Sequence, residues 1–124
     1  MCKLFVGANP KLWENQTRSF RMEGMVTSIR LENIFWSVLE DIAARDQITI
    51  PQLLHQLYYE SLDEGLDVSN FTSFLRVCCL RFKNLQLKEL LPRGDNTSLE
   101  KLTAEEIPER EARLKSPDLS ASLQ

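Results

Sequence analysis

The chain has 124 residues, 43% of them hydrophobic and 27% charged, with a formal net charge of −3. That length sets one domain as the expectation and supplies enough apolar material for a core. No apolar run approaches the ~18–20 residues that span a bilayer, residues 1–10 are too weakly apolar for a secretory signal, and three Cys, two of them adjacent (Cys78, Cys79), cannot build a disulfide framework, so a soluble cytoplasmic protein with reduced thiols and no membrane partner is expected.

Charge is unevenly placed along the chain. Residues 1–24 carry four basic and two acidic side chains, residues 25–66 two and seven, residues 67–91 four and two, and residues 92–124 five and seven. Two basic blocks therefore flank an acidic middle. The acidic total argues weakly against a nucleic-acid partner, whose usual footprint is a basic domain.

In chain order, a short strand is expected at residues 3–6 and a second over residues 17–22. Glu23-Gly24 then marks a tight turn, because Gly tolerates the positive φ such turns need. Residues 25–31 alternate in period two and are rich in β-branched side chains, which predicts a strand hairpinned onto the preceding one. Thr27, Ile29 and Leu31 fall on one face, and Val26, Ser28 and Arg30 on the other. Asn33 is a candidate N-cap for a helix running to about Arg45, with Ile34, Phe35, Val38, Leu39, Ile42 and Ala43 as its apolar stripe. Asp46-Gln47 breaks it. Thr49-Ile50-Pro51-Gln52 reads as a capping box that opens a second helix, with Leu53, Leu54, Leu57, Tyr58 and Leu62 on its apolar face and Gly65 at its end. A third helix starts near Ser69 or Asn70 and carries Phe71, Phe74, Leu75, Cys78, Leu80 and Phe82, fading by Leu91. Residues 92–124 hold three of the five prolines and no aromatic residue, and are expected to form a flexible polar tail behind a domain over residues 1–91. A capping-box-like Thr103-Ala104-Glu105-Glu106 would allow one short helix there.

The fold class is thus α+β and mostly helical: an N-terminal β extension, a strand, and three helices. The strand after the turn has two edges that need covering. The upstream strand covers one, and a second copy of the chain would cover the other, which predicts a dimer with an antiparallel ribbon formed between chains.

The stretch from Val26 to Leu54, a short alternating strand leading straight into two helices, resembles the ribbon-helix-helix family of bacterial DNA-binding proteins, whose members include the methionine and Arc repressors. It looks closest to a bacterial subfamily with Thr-Ser-x-Arg-Leu-Glu-x-x-Phe-Trp, here Thr27 to Trp36, and Asn-Phe-x-Ser-Phe-Leu-Arg-Val, here Asn70 to Val77. With both segments the resemblance extends from about Arg18 to Phe82. It implies a homodimeric, sequence-specific transcriptional regulator that lays a two-stranded ribbon in the major groove of double-stranded DNA, a groove ~12 Å wide. Val26, Ser28 and Arg30 would then contact base edges. Arg30 is the best reader, since its fork suits guanine O6 and N7. Thr49 and Ile50, at the start of the second helix, would hold a phosphate with backbone N–H groups, and Arg18 and Arg21 would add phosphate contacts.

Plainer readings exist for each residue. Arg30 alone is a solvated strand residue, and Arg76 and Arg81 are a solvated helix face. Trp36 lies off the helix stripe and is expected to pack against the third helix or a partner subunit. His55, the one histidine, has no neighbour at ligand spacing, so no metal site is expected. Cys78 and Cys79 read as inert buried thiols. There is no Gly-rich phosphate loop, nucleophile elbow or zinc signature; no catalytic residue, cofactor or enzymatic activity is expected. The alternative to DNA binding is a dimeric interaction or scaffold module on the same fold, meeting a protein partner through the tail or the third helix, or an antitoxin-like protein that combines both roles.

Overall fold

Glu23 and Gly24 both take positive φ, 54° and 77°. A two-residue turn with that geometry matches the right-handed twist of the strands it joins. In the computed structural model, which describes residues 2–65 and 70–89, this turn closes a hairpin of β1 (Asn15–Met22) and β2 (Met25–Glu32). The strands pair antiparallel from Met22 opposite Met25 to Asn15 opposite Glu32. The hairpin of the sequence reading is therefore present, and β1 starts two residues earlier than expected. The tail over residues 92–124 lies outside the described residues.

The expected strand at residues 3–6 is a correction. Cys2–Val6 form a five-residue helix, α1, none of whose residues is buried. It pairs with neither strand of the hairpin, and its backbone closes locally, with Gly7 N–H donating to the Lys3 carbonyl at 3.0 Å and Ala8 N–H to that of Phe5 at 3.2 Å. A 3-10 turn at Pro10–Leu12 follows, capped by Asn9.

β2 runs directly into α2 (Asn33–Arg45) with no loop. The N-cap is Glu32 and not Asn33, and Glu32 makes no capping bond with its side chain. Asn33 is diverted: its backbone N–H donates to the Glu14 carbonyl and its amide to that of Lys11. It thereby holds the segment ahead of β1 against the start of α2. The α2 stripe is also displaced from expectation. Trp36 is 1% exposed while Ile34 is 44% exposed. Trp36 faces β1, where its indole N–H donates to the Gln16 carbonyl at 2.9 Å and its ring lies 6.0 Å from that of Phe20. A helix packed against a hairpin on one side and helices on the other presents a wider apolar arc than a single stripe.

Asp46 ends α2, and Gln47 takes a positive φ of 56° in the turn that follows. α3 (Ile50–Asp63) opens with the complete capping box read from the sequence. Its end is marked by Gly65, with a positive φ of 71°. α4 (Phe71–Leu87) packs across α2. Its buried face is Leu75, Cys79, Phe82 and Leu85, so the face is rotated from the one expected: Cys78 is only partly covered and Leu80 is exposed. Alternation in β2 carries Ile29 and Leu31 into one core with Leu39, Ile42, Leu53, Leu54 and the α4 face. Burial pushes the Cys78 thiol up to about 11 and the Cys79 thiol up to about 12, which favours the protonated thiol at both.

Trp36→Ala should cost about 3–5 kcal/mol in chemical denaturation, the usual range for emptying a buried large aromatic site. Trp36→Phe, which keeps a ring but leaves the Gln16 carbonyl without its donor, should cost less than half as much.

Candidate nucleic-acid interface

The face of the hairpin turned away from the core is built from both strands. Val26, Ser28 and Arg30 are exposed, and opposite them stand Arg21, Ser19 and Thr17, also exposed. The parity read from the sequence for β2 therefore holds. At the centre the hydroxyls of Ser19 and Ser28 lie 3.1 Å apart, each able to donate to the other. Arg21 sits toward the turn and Arg30 toward the opposite end. Neither guanidinium makes an ion pair or side-chain hydrogen bond with a described residue.

Arg18 is placed differently from expectation. It is three residues from Arg21, and in a strand an odd spacing puts two side chains on opposite faces. Arg18 lies on the inner face. Its guanidinium covers the Trp36 ring at 4.5 Å and pairs with Glu40 on α2 at 3.0 Å. Arg18 thus fastens β1 to α2. Strand parity could have separated it from Arg21 in the sequence, and the same rule would have found Thr17 and Ser19.

The two strands carry one carboxylate, Glu32. Parity would continue the outward row to it, but its side chain turns to Arg76 of α4, accepting two hydrogen bonds at 2.7 and 3.0 Å. Such bidentate pairs are among the stronger ion pairs. The hydrogen bond from Arg76, with its charge, holds the Glu32 carboxyl below the usual range, and the same bond raises Arg76. Arg76, read from the sequence as solvated surface, therefore neutralises the one acid on the strands. At the turn, the Glu23 carboxylate near the Tyr59 hydroxyl of α3 raises the tyrosine above its usual range.

The start of α3 offers less than its sequence suggests. The Thr49 N–H donates to Gln52 Oε1 at 2.9 Å, and the Gln52 N–H to Thr49 Oγ1 at 3.3 Å. Leu53 N–H closes the first helical bond to the Thr49 carbonyl, and Pro51 has no N–H. Of the two residues expected to hold a phosphate, Thr49 is occupied by its own capping box. Ile50 retains the backbone N–H of the first turn. An open depression beside it is lined by Ile48, Pro51, Gln52, His55 and Gln56. Among the described residues no three His, Cys, Asp or Glu side chains gather as a metal-binding group, and no helix is long and apolar enough to cross a membrane.

The chain matches a family model described as the ribbon-helix-helix domain over residues 15–82. The match opens with the first residue of β1 and ends inside α4, so the hairpin lies within it. A solved structure of an uncharacterized protein from Bordetella pertussis Tohama I is similar, at 44% identity and a TM-score of 0.79, with 86% of each chain covered. No curated protein matches the chain.

The Glu32–Arg76 pair sets an acid limit. A carboxyl held below its ordinary 4.5 contributes stability that is complete above that value and is lost as pH falls through the lowered folded-state value. Denaturation midpoints should therefore decline below pH 4.5. Glu32→Gln should cost about 0.5–1 kcal/mol at neutral pH, in keeping with a partly exposed ion pair, and should flatten that acid decline.

Proposed function

The chain belongs to the ribbon-helix-helix domain family, and on that premise we propose that it is a homodimeric, sequence-specific DNA-binding protein that regulates transcription. The observation that carries the reading is the outward hairpin face, where Arg21 and Arg30 have no anionic partner among the described residues while Arg18, Arg76 and Lys83 are each paired with a carboxylate. Arginines left over on an exposed strand face whose one carboxylate, Glu32, is already paired suit an anionic ligand. A two-stranded ribbon of alternating side chains suits the major groove.

In this reading Arg30 donates to guanine O6 and N7, Ser28 donates or accepts at a base edge, and Val26 meets a thymine methyl. Arg21 adds a cation to the same face, and the Ile50 N–H, at the positive end of the α3 dipole, takes a phosphate. Arg18 supports the hairpin from within. The acidic total charge does not oppose this, because much of it lies in the acidic middle block, and Glu32, Glu40 and Asp41 of that block bind Arg76, Arg18 and Lys83.

A second reading, a module that meets a protein partner through α4, is favoured by Val77, Leu80 and Leu87. These three apolar side chains are exposed at helical spacing on the side of α4 away from the core.

Purified protein should enrich genomic DNA fragments that share a short repeated motif, at moderate as well as low salt. Arg30→Ala should lose the motif while keeping the wild-type denaturation midpoint. Salt-sensitive retention of all fragments alike, unchanged by Arg30→Ala, would reduce the activity to phosphate binding. No retention even at low salt would transfer the assignment to a protein partner on α4.

A further inference from the structure

α4 is apolar on two sides. Leu75, Cys79, Phe82 and Leu85 face the core, whereas Val77, Leu80 and Leu87 are 61%, 64% and 70% exposed. At 3.6 residues per turn these three and the exposed Asn84 fall within an arc of roughly 80°, so they form one stripe along the outer side of the helix. Single exposed aliphatic side chains are ordinary, but three aligned on one helix mark a contact surface.

Basic residues border the stripe on both sides. Arg76 and Lys83 lie on one flank, where they pair with Glu32 and Asp41. Arg81 and Lys88, seven positions apart, lie on the other. A second copy of α4 is therefore a poor occupant. Packed parallel, two such helices would set Arg76 and Lys83 of one against Arg81 and Lys88 of the other. Packed antiparallel, each basic flank would meet itself. Like charges beside an apolar seam oppose pairing, and Asn84 within the seam weakens it further. The stripe suits an apolar segment accompanied by carboxylates.

We infer that the occupant is the chain's own residues 99–111, folded back onto the outer side of α4. That segment carries Leu99, Leu102 and Ile107 with five glutamates against two basic residues, Lys101 and Arg110. α4 ends at Leu87, and eleven residues, 88–98, stand between it and Leu99. Connections between packed helices commonly take about 2–8 residues, so this link is long enough to reverse the chain. A tether of such length holds the segment at an effective concentration on the order of millimolar, beyond what a separate chain reaches at ordinary protein concentrations. The aliphatic side chains of the segment would cover Val77, Leu80 and Leu87, and its glutamates would meet Arg81 and Lys88. A protein partner at α4 would then have to displace it. The inference goes beyond the DNA-binding reading and does not depend on it.

The test places a reporter thiol in the stripe of the full-length chain, Asn84→Cys in a Cys2→Ser background, and follows its rate of alkylation. Two further sets of substitutions are added to that reporter in turn, Leu99→Ser with Leu102→Ser and Ile107→Ser in the tail, and Arg81→Glu with Lys88→Glu on α4. A denaturation curve for each shows that the domain stays folded. In the expected result the reporter alone labels slowly, at a rate independent of protein concentration over a hundredfold range. Each set of substitutions speeds labelling about tenfold, as expected for a tethered contact of affinity ~0.1 mM at a millimolar effective concentration. The inference is overturned by a reporter that labels as fast as the unfolded chain, or by a slow rate that either set leaves unchanged. Slow labelling that quickens on dilution would assign the stripe to a second copy of the chain, and would overturn it as well.

Discussion

Period-two alternation in β2 ties the core to the candidate interface. Ile29 and Leu31 close the core from the sheet side, and Ser28 and Arg30 stand on the opposite surface because each lies one residue away from them. A slip of one residue would expose both aliphatic side chains and bury a guanidinium and a hydroxyl without partners. Register is therefore set by burial, and the outward pattern follows from it. The positive-φ turn at Glu23-Gly24 works to the same end, since a two-residue connection admits one pairing of the strands it joins.

The hairpin would still be a marginal element if left to itself, because an isolated two-stranded ribbon is barely stable in water. Trp36 supplies what it lacks. The indole fills the space under β1, donates to a β1 carbonyl and carries Arg18 across its ring. Glu40 then holds the far side of that guanidinium. At the other end of the structure Arg76 binds Glu32 at the junction of β2 and α2. These contacts fix the hairpin's angle to the helices, and so the direction in which Arg21 and Arg30 are presented.

The same contacts explain the charge pattern of the chain. Part of the acidic middle block is internal counter-charge: Glu40 meets a cation from the first basic block, and Glu32 and Asp41 meet cations from the second. What remains on the hairpin's outer face is positive although the whole chain is negative. Net charge describes the surface as a sum, whereas a ligand meets one face of it.

The local elements were legible in the sequence because their causes are local. Alternation placed β2 and its outward set, Glu23-Gly24 placed the turn, Thr49 with Gln52 placed the start of α3, and the short apolar-to-helical transition carried the family resemblance. Where the sequence reading failed, the deciding partner was distant. Asn33 is claimed by carbonyls upstream of β1, and Trp36 belongs to a surface formed by another element. The faces of α4 were misassigned because several apolar positions compete, and only the position of α2 selects Cys79 over Cys78. Arg18 and Arg21 show the boundary most clearly. Strand parity alone separates them, but that one is secured over Trp36 and the other is left open to solvent is decided by what packs beneath the sheet. The sequence by itself determined the hairpin and its turn, the start of α3 and the side of β2 that faces out. Only the tertiary structure decided which charges are neutralised within the protein and which remain to meet a ligand, because ion pairs between residues 22 to 44 positions apart exist only once the elements are packed.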